Sequence, residues 1–274
     1  MLVTRLPQGE SIVSPRSHCR NCDHTLAWWE NLPLLSWLLL RGRCRQCRHW
    51  IGLRYPAVEL AVAVLWAAIW YRFNYPLFMN DIEGIEFLHF ALYAGIMIVD
   101  LAILSWLLVA LAALDAEHFW LPDAITYPGI VLGFVYTLAC NQLACCAKYT
   151  DSFRDAAWNC LIAILVSAAL ILVIRLAYWL IRRKEGMGLG DAKLMAMLGA
   201  WLGLIGALES FALAVFAAAL AALIWLAISA IRKDKNEWAG TPLPLGTFLC
   251  LAALSEIFYP QWLWTWYSHT FLAF

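Results

Sequence analysis

The sequence predicts an all-α polytopic membrane protein of about seven transmembrane helices, preceded by a small N-terminal module outside the bilayer. Three observations carry this. Of 274 residues 64% are hydrophobic and only 14% are charged, with a mean hydropathy of +0.71, whereas roughly a quarter of a soluble domain is charged. The apolar residues are gathered into stretches of membrane-crossing length. Sixteen tryptophans and ten tyrosines suit a chain with many lipid–water crossings, because amphipathic rings sit at headgroup depth. Nineteen basic residues balance nineteen acidic ones, so nothing points to nucleic acid. The apolar content excludes disorder.

Residues 1–55 are polar and carry eight arginines against only Glu10, Asp23 and Glu30, with no signal peptide, so they form a folded extramembrane module. Apolar stretches follow at 57–71, 87–113, 125–145, 156–180, 193–207, 209–230 and 245–270. A helix needs about twenty residues to cross the hydrocarbon core, since unpaired backbone is not tolerated in lipid. The first and fifth stretches are short, and the last holds Pro260.

Basic residues are retained on the cytoplasmic side. Seven crossings that begin inside place 1–55, 114–124, 181–193 and 231–244 in the cytoplasm. With Arg175 counted inward, sixteen of the nineteen basic residues then face the cytoplasm, leaving Arg72, Lys148 and Arg154 outside. The loop from Asp81 to Glu86 is acidic and external. A miscounted helix would scatter the charges, so the asymmetry checks the count independently.

Cys19-Arg-Asn-Cys22 and Cys44-Arg-Gln-Cys47 form the first chemical constellation. Each Cys-x-x-Cys turn presents two thiolates to one ion, and two turns complete a tetrahedral structural zinc site. The twenty-one residues between the pairs slightly exceed the usual spacing. Disulfides do not suit a cytoplasmic face, and a redox pair would need a single motif in a βαβ setting. Arg20, Arg43, Arg45 and Arg48 offset the thiolate charge. His18, His24 and His49 read as surface residues, because four sulfurs already satisfy the metal. Trp28-Trp29 to Leu40 reads as an interfacial segment that seats the module on the lipid bilayer.

The second constellation is a pair of aspartates at cytoplasmic helix ends. Asp115 closes the long second stretch, and Asp191 ends Gly186-Met187-Gly188-Leu189-Gly190-Asp191. Gly188 and Gly190 permit backbone angles and a close approach that a side chain forbids, so a substrate strand could lie against this loop. Each aspartate also has a plainer reading. Asp191 could N-cap its helix, and Asp115 could be a polar stop at the bilayer surface. Two on one face alter the odds: a close pair shares one proton, the state in which an aspartic protease activates water.

The paired Cys-x-x-Cys turns, the run Arg54-Tyr55-Pro56-Ala57-Val58-Glu59, the segment Asp115 to Asp123 and the block Lys184 to Asp191, in this order and spacing, resemble bacterial type IV prepilin peptidases over nearly the whole chain. The resemblance implies a GxGD-type intramembrane aspartyl protease of residues 56–274, placed in the bacterial inner (cytoplasmic) membrane with the zinc module of 1–55 facing the cytoplasm. It implies cleavage of the basic leader of type IV pilin-like or pseudopilin precursors after a glycine, with Asp115 and Asp191 catalytic and Asp123 structural. Such precursors serve type IV pili and type II secretion. Family members often also methylate the new N-terminus with S-adenosylmethionine, an activity linked to the cysteine module. They usually begin with a further helix ending in a Gly-Ser-Phe-Leu-Asn-like run, whereas this chain opens at Met1-Leu2-Val3-Thr4-Arg5-Leu6-Pro7. That departure implies a late start or a lost helix, and it separates methyl transfer from proteolysis as an expectation. Leu243-Pro244-Leu245-Gly246-Thr247 resembles a family Pro-Phe-Gly-Pro-like turn with two substitutions.

Other polar residues have simpler readings. Asp100 lies inside the second stretch, where an ionisable group is a functional candidate by default but could also merely hydrogen-bond between helices; Glu59 answers the helix dipole; and Cys140, Cys145 and Cys146, near the outer face, could pair or stay free, and neither is assigned. Glu117, Asp123 and Glu185 form an acidic face toward a basic leader, although exposed charges are well screened. Two rivals remain: a transporter or ion channel, which would show inverted repeats, and a non-catalytic zinc-bearing assembly factor of a secretion system, indifferent to loss of either aspartate.

Overall fold

A computed structural model describes residues 5–11, 16–79, 85–142, 152–184, 187–232 and 243–261. Among these residues there are seven α-helices and no strand: α1 Leu35–Leu39, α2 Arg54–Met79, α3 Ile85–His118, α4 Asp123–Gln142, α5 Phe153–Arg182, α6 Leu189–Arg232 and α7 Leu245–Phe258. Five of them, α2 to α6, are long and apolar enough to cross a membrane. The expected sites at Asp81, Cys145, Cys146, Lys148, Glu185, Gly186 and Met1 to Thr4, with most of 231–244 and 262–270, lie outside the described residues.

The fifth and sixth apolar stretches run on as one element, α6, broken at Gly203, where φ is 72° and ψ is 179°. From hydropathy the break falls at 208, beside Glu209. Left-handed backbone favours a residue without a Cβ, so the chain turns at the glycine instead. Glu209 is accommodated by burial, with the buried Glu256 of α7 close enough for the two carboxyl groups to interact.

Local signals set the other ends. α3 stops where Phe119 takes a φ of 51° and donates its N–H to the Asp115 carbonyl, and Pro122 then prevents its continuation. α4 starts immediately after that proline, with Asp123 in its first turn as the dipole favours. α5 ends at Arg183, also left-handed, whose N–H bonds the Trp179 carbonyl.

Cross-helix contacts fix the directions. α2 and α3 are antiparallel, with Arg54 paired to Glu117 at one end and the Trp66 indole donating to the Ala102 carbonyl further along. α5 and the first part of α6 are antiparallel too, through Arg175 to the Met187 carbonyl and Cys160 to the Ala200 carbonyl. α4 and α6 run parallel: Lys193 pairs with Asp123, and the Trp201 indole donates to the Gly129 carbonyl at 2.7 Å. The end of α3 and the starts of α4, α6 and α7 therefore gather at one end of the bundle.

Small residues let these helices touch. A Cβ on Gly133 would lie 2.5 Å from the Trp201 ring, and one on Gly199 would lie 2.6 Å from the Ala163 carbonyl oxygen. The tryptophan can shift, but backbone cannot. Gly199→Ala is therefore expected to push α5 from α6 and to destabilise the protein by about 1–3 kcal/mol, the usual range for overpacking. A melting temperature in detergent equal to that of wild type would contradict this packing.

Asp100 of α3 is buried near Tyr136 of α4, whose hydroxyl donates to the Met97 sulfur at 2.9 Å. Glu59 accepts the Leu34 N–H at 2.7 Å and so joins the N-terminal module to α2; because α2 begins at Arg54 and has no acid in its first turn, Glu59 does not serve that helix's dipole.

Candidate active site and metal centre

Asp115 and Asp191 line one cavity of about 780 Å³ at the end where four helix termini gather, together with Leu121, Gly188, Gly190 and Pro244. Asp115 reaches it from the last turn of α3, Asp191 from the first turn of α6. Their carboxyl groups are close enough for the charge of one to act on the other.

Asp115 is 5% exposed. Its Oδ2 accepts the Thr247 N–H at 2.6 Å and lies 3.1 Å from the Thr247 hydroxyl, which is also 3.2 Å from the Ala112 carbonyl. Thr247 is the third residue of α7. Asp115 thus supplies an acceptor to a helix start whose first N–H groups have no intrahelical partner. Asp191, third in α6, accepts the Gly188 backbone N–H. Asp191 is therefore not the N-cap of its helix, which begins at Leu189; it stands inside the first turn, where the dipole favours an acid, and in the cavity.

The glycines divide their tasks. Neither Gly188 nor Gly190 has positive φ, so unusual backbone angles are not what they provide. Gly190 allows close approach, because a Cβ there would meet the Leu121 Cβ at 3.0 Å. Gly188 is exposed and open. Gly246 is tighter than either, since its Cβ would lie 2.9 Å from both Cγ and Oδ2 of Asp115. Gly246→Ala is expected to displace the carboxyl group and reduce turnover more than about tenfold. An alanine variant with wild-type kcat would show that this approach is immaterial.

Sequence reasoning underused Gly246 and Thr247. The signal was the Leu-Pro-Leu-Gly-Thr run, in which Pro244 stands just before the helix start. Leu6 also lines the cavity, brought there by the N-terminal segment, while Arg5 is buried and donates to the Ser11 and Arg16 carbonyls. The other described acids of this face are engaged: Glu117 pairs with Arg54 at 2.7 Å, and Asp123 pairs with Lys193.

In the N-terminal module the sulfurs of Cys19, Cys22, Cys44 and Cys47 all lie within 4.8 Å of one another. Cys19 to Cys47 is 3.8 Å and Cys22 to Cys44 is 4.0 Å. A tetrahedron with zinc–sulfur bonds of about 2.3 Å has edges of about 3.8 Å, so the cluster fits such an ion. The two Cys-x-x-Cys turns repeat one another. Cys19 N–H bonds the His24 carbonyl and Asp23 N–H the Cys19 carbonyl; Cys44 N–H bonds the His49 carbonyl and Arg48 N–H the Cys44 carbonyl. Each is closed by a bridge, His18 to Thr25 and Arg43 to Trp50. The His49 N–H and the Asn21 amide hold the Cys47 thiol down, to about 6 from 9.0. Between the pairs Trp28, Leu35, Leu38 and Leu39 are exposed, an apolar outer surface of the kind expected to seat on lipid.

A second cavity of about 460 Å³ in this module is lined by Arg16, Ser17, Leu26, Ala27, Trp28 and Asn31. Among the described lining there is a cation and no acid, which does not suit the positive sulfonium of S-adenosylmethionine. No methyl-transfer step is assigned to it.

A helical membrane protein with two carboxyl groups in one cavity has the parts of a membrane-embedded peptidase, and the relatives agree. Residues 1–73 match the bacterial peptidase A24 N-terminal domain, and residues 102–227 match the type IV leader peptidase family. A prepilin leader peptidase/N-methyltransferase of Stutzerimonas stutzeri is 34% identical over 245 residues, 88% of this chain and 71% of that protein. One of the same description from Pseudomonas aeruginosa is 35% identical with the same coverage, and one from Aeromonas hydrophila is 32% identical over 96% of this chain and 78% of its own. No solved structure matches the chain. The chain belongs to the type IV leader peptidase family.

Proposed function

We propose that this peptidase removes the basic leader of prepilin- or pseudopilin-like precursors at the cytoplasmic face of the bacterial inner membrane, with Asp115 and Asp191 as its catalytic pair. The observation that carries the reading is the convergence of these two carboxyl groups on one cavity at the end of the bundle where the helix termini gather. A precursor with a basic cytoplasmic leader and an apolar membrane helix holds its scissile bond at that depth.

The chemistry follows from a pair that carries one proton. The ionised carboxylate takes a proton from water as the water oxygen bonds to the peptide carbonyl carbon, and the protonated partner donates to the developing oxyanion. Collapse of the tetrahedral intermediate breaks the C–N bond, and the amine leaves with a proton returned by the pair. Gly188, exposed beside Asp191, gives the substrate strand room, while Gly190 lets Leu121 pack against the same loop. In the N-terminal module Cys19, Cys22, Cys44 and Cys47 would hold a structural zinc, whose contribution is to cross-link the two turns; four sulfurs leave it no open position.

Co-expression with a model prepilin tests the reading. Wild type should shift the precursor to its shorter form on a gel, and Asp115→Ala and Asp191→Ala should leave it uncut. Uncut precursor with wild type, or normal cleavage by either variant, would refute the assignment.

A further inference from the structure

We infer that Thr247, at the start of α7, is a positioning residue for Asp115, fixing its carboxyl group through Oδ2 and leaving Oδ1 as the oxygen that acts on water. The inference rests on the catalytic reading of Asp115 given above. Two donors of one residue converge on one oxygen, the backbone N–H at 2.6 Å and the hydroxyl at 3.1 Å. The hydroxyl proton is shared in direction with the Ala112 carbonyl at 3.2 Å, so it links Asp115 to the preceding turn of its own helix. Gly246 closes the other side, with no room for even a methyl group against the Asp115 carboxyl carbon.

This arrangement solves a particular problem. Asp115 stands in the last turn of α3, where side chains are the least constrained by helix packing and the dipole is unfavourable to a carboxylate. The N-terminus of α7 supplies the opposite dipole and an N–H that has no other partner. A carboxyl group held in this way has one oxygen committed to structure and the other available for chemistry. General-base catalysis depends on such orientation, because a small misplacement of the reacting oxygen lowers the rate strongly.

The backbone N–H and the hydroxyl can be removed separately. Thr247→Val keeps the shape and loses the hydroxyl. Thr247→Pro also loses the N–H, in a first turn where no intrahelical bond is sacrificed. Thr247→Ser keeps both donors. In membranes containing the full chain and a synthetic prepilin, kcat is expected to fall about tenfold in Thr247→Val and about a hundredfold in Thr247→Pro, with KM within about twofold of wild type. Thr247→Ser should recover most of the rate. A purely structural role would lower the amount of folded protein in proportion to the loss, so kcat is referred to folded enzyme. Equal kcat for wild type and Thr247→Val, or Thr247→Ser as slow as Thr247→Val, would overturn the inference. Asp115→Asn in the same assay separates the levels: if it cleaves normally, the catalytic reading itself fails, whereas inactive Asp115→Asn beside a fully active Thr247→Val removes only the role of Thr247.

Discussion

Asp115→Asn and Asp191→Asn are each expected to lower kcat/KM for prepilin cleavage by at least about 10³-fold, the scale of losing a positioned acid or base. The double variant should be hardly slower than either single one, because two carboxyl groups that share a proton act as a unit. The stability effects should differ from the catalytic ones. Asp115→Asn keeps an oxygen to accept the Thr247 N–H but loses the charge at the α7 start, so about 0.5–2 kcal/mol of stability is at stake. Single-turnover cleavage with melting curves on the same preparations measures both. Additive rate losses in the double variant would mean that the aspartates act independently, and a shared water would then be the wrong mechanism.

The second large effect concerns the cysteine cluster. Cys19→Ser or Cys44→Ser should reduce bound zinc from about one equivalent to none, and the N-terminal module should lose its protease-resistant fold. Structural zinc binding in small domains is worth about 10–16 kcal/mol, so little remains of such a module without it. Metal analysis with limited proteolysis distinguishes the outcomes. Unchanged metal content in both variants would eliminate this site, and lost metal with a fully resistant module would show that the hydrogen-bonded turns suffice alone.

Much of this was legible before any coordinates. Hydropathy located the helices because backbone in lipid must satisfy its own hydrogen bonds, and the cysteine spacing located the metal cluster because thiolates need few positions to converge. Asp115 and Asp191 were legible as a pair on one face, but their meeting was not, since it depends on α4 and α6 running parallel from the same end. The capping of α7 by Asp115 was hidden for a related reason: 132 residues separate the partners. The break in α6 was hidden as well, because the turn lies in the backbone angles of Gly203 and hydropathy does not register it. The repeat in the cysteine module is visible in the residues as well as in the hydrogen bonds, since Cys19-Arg-Asn-Cys22-Asp-His24 and Cys44-Arg-Gln-Cys47-Arg-His49 share one order.

Gly203 divides α6 into two rods, and α7 lies beside both. The rod that carries Asp191 is fastened to α4 and α5 through Lys193, Trp201 and Ala200, while the later rod meets α7 through Glu209 and Glu256. Bilayers differ in thickness, and helices adjust to them by tilting. With a joint at this point, tilting of the later rod is absorbed in one pair of dihedral angles, and the aspartate at the far end of the earlier rod keeps its place. The same tilt is passed on through α7 to Thr247 and Asp115, so turnover should depend on lipid chain length through Asp115.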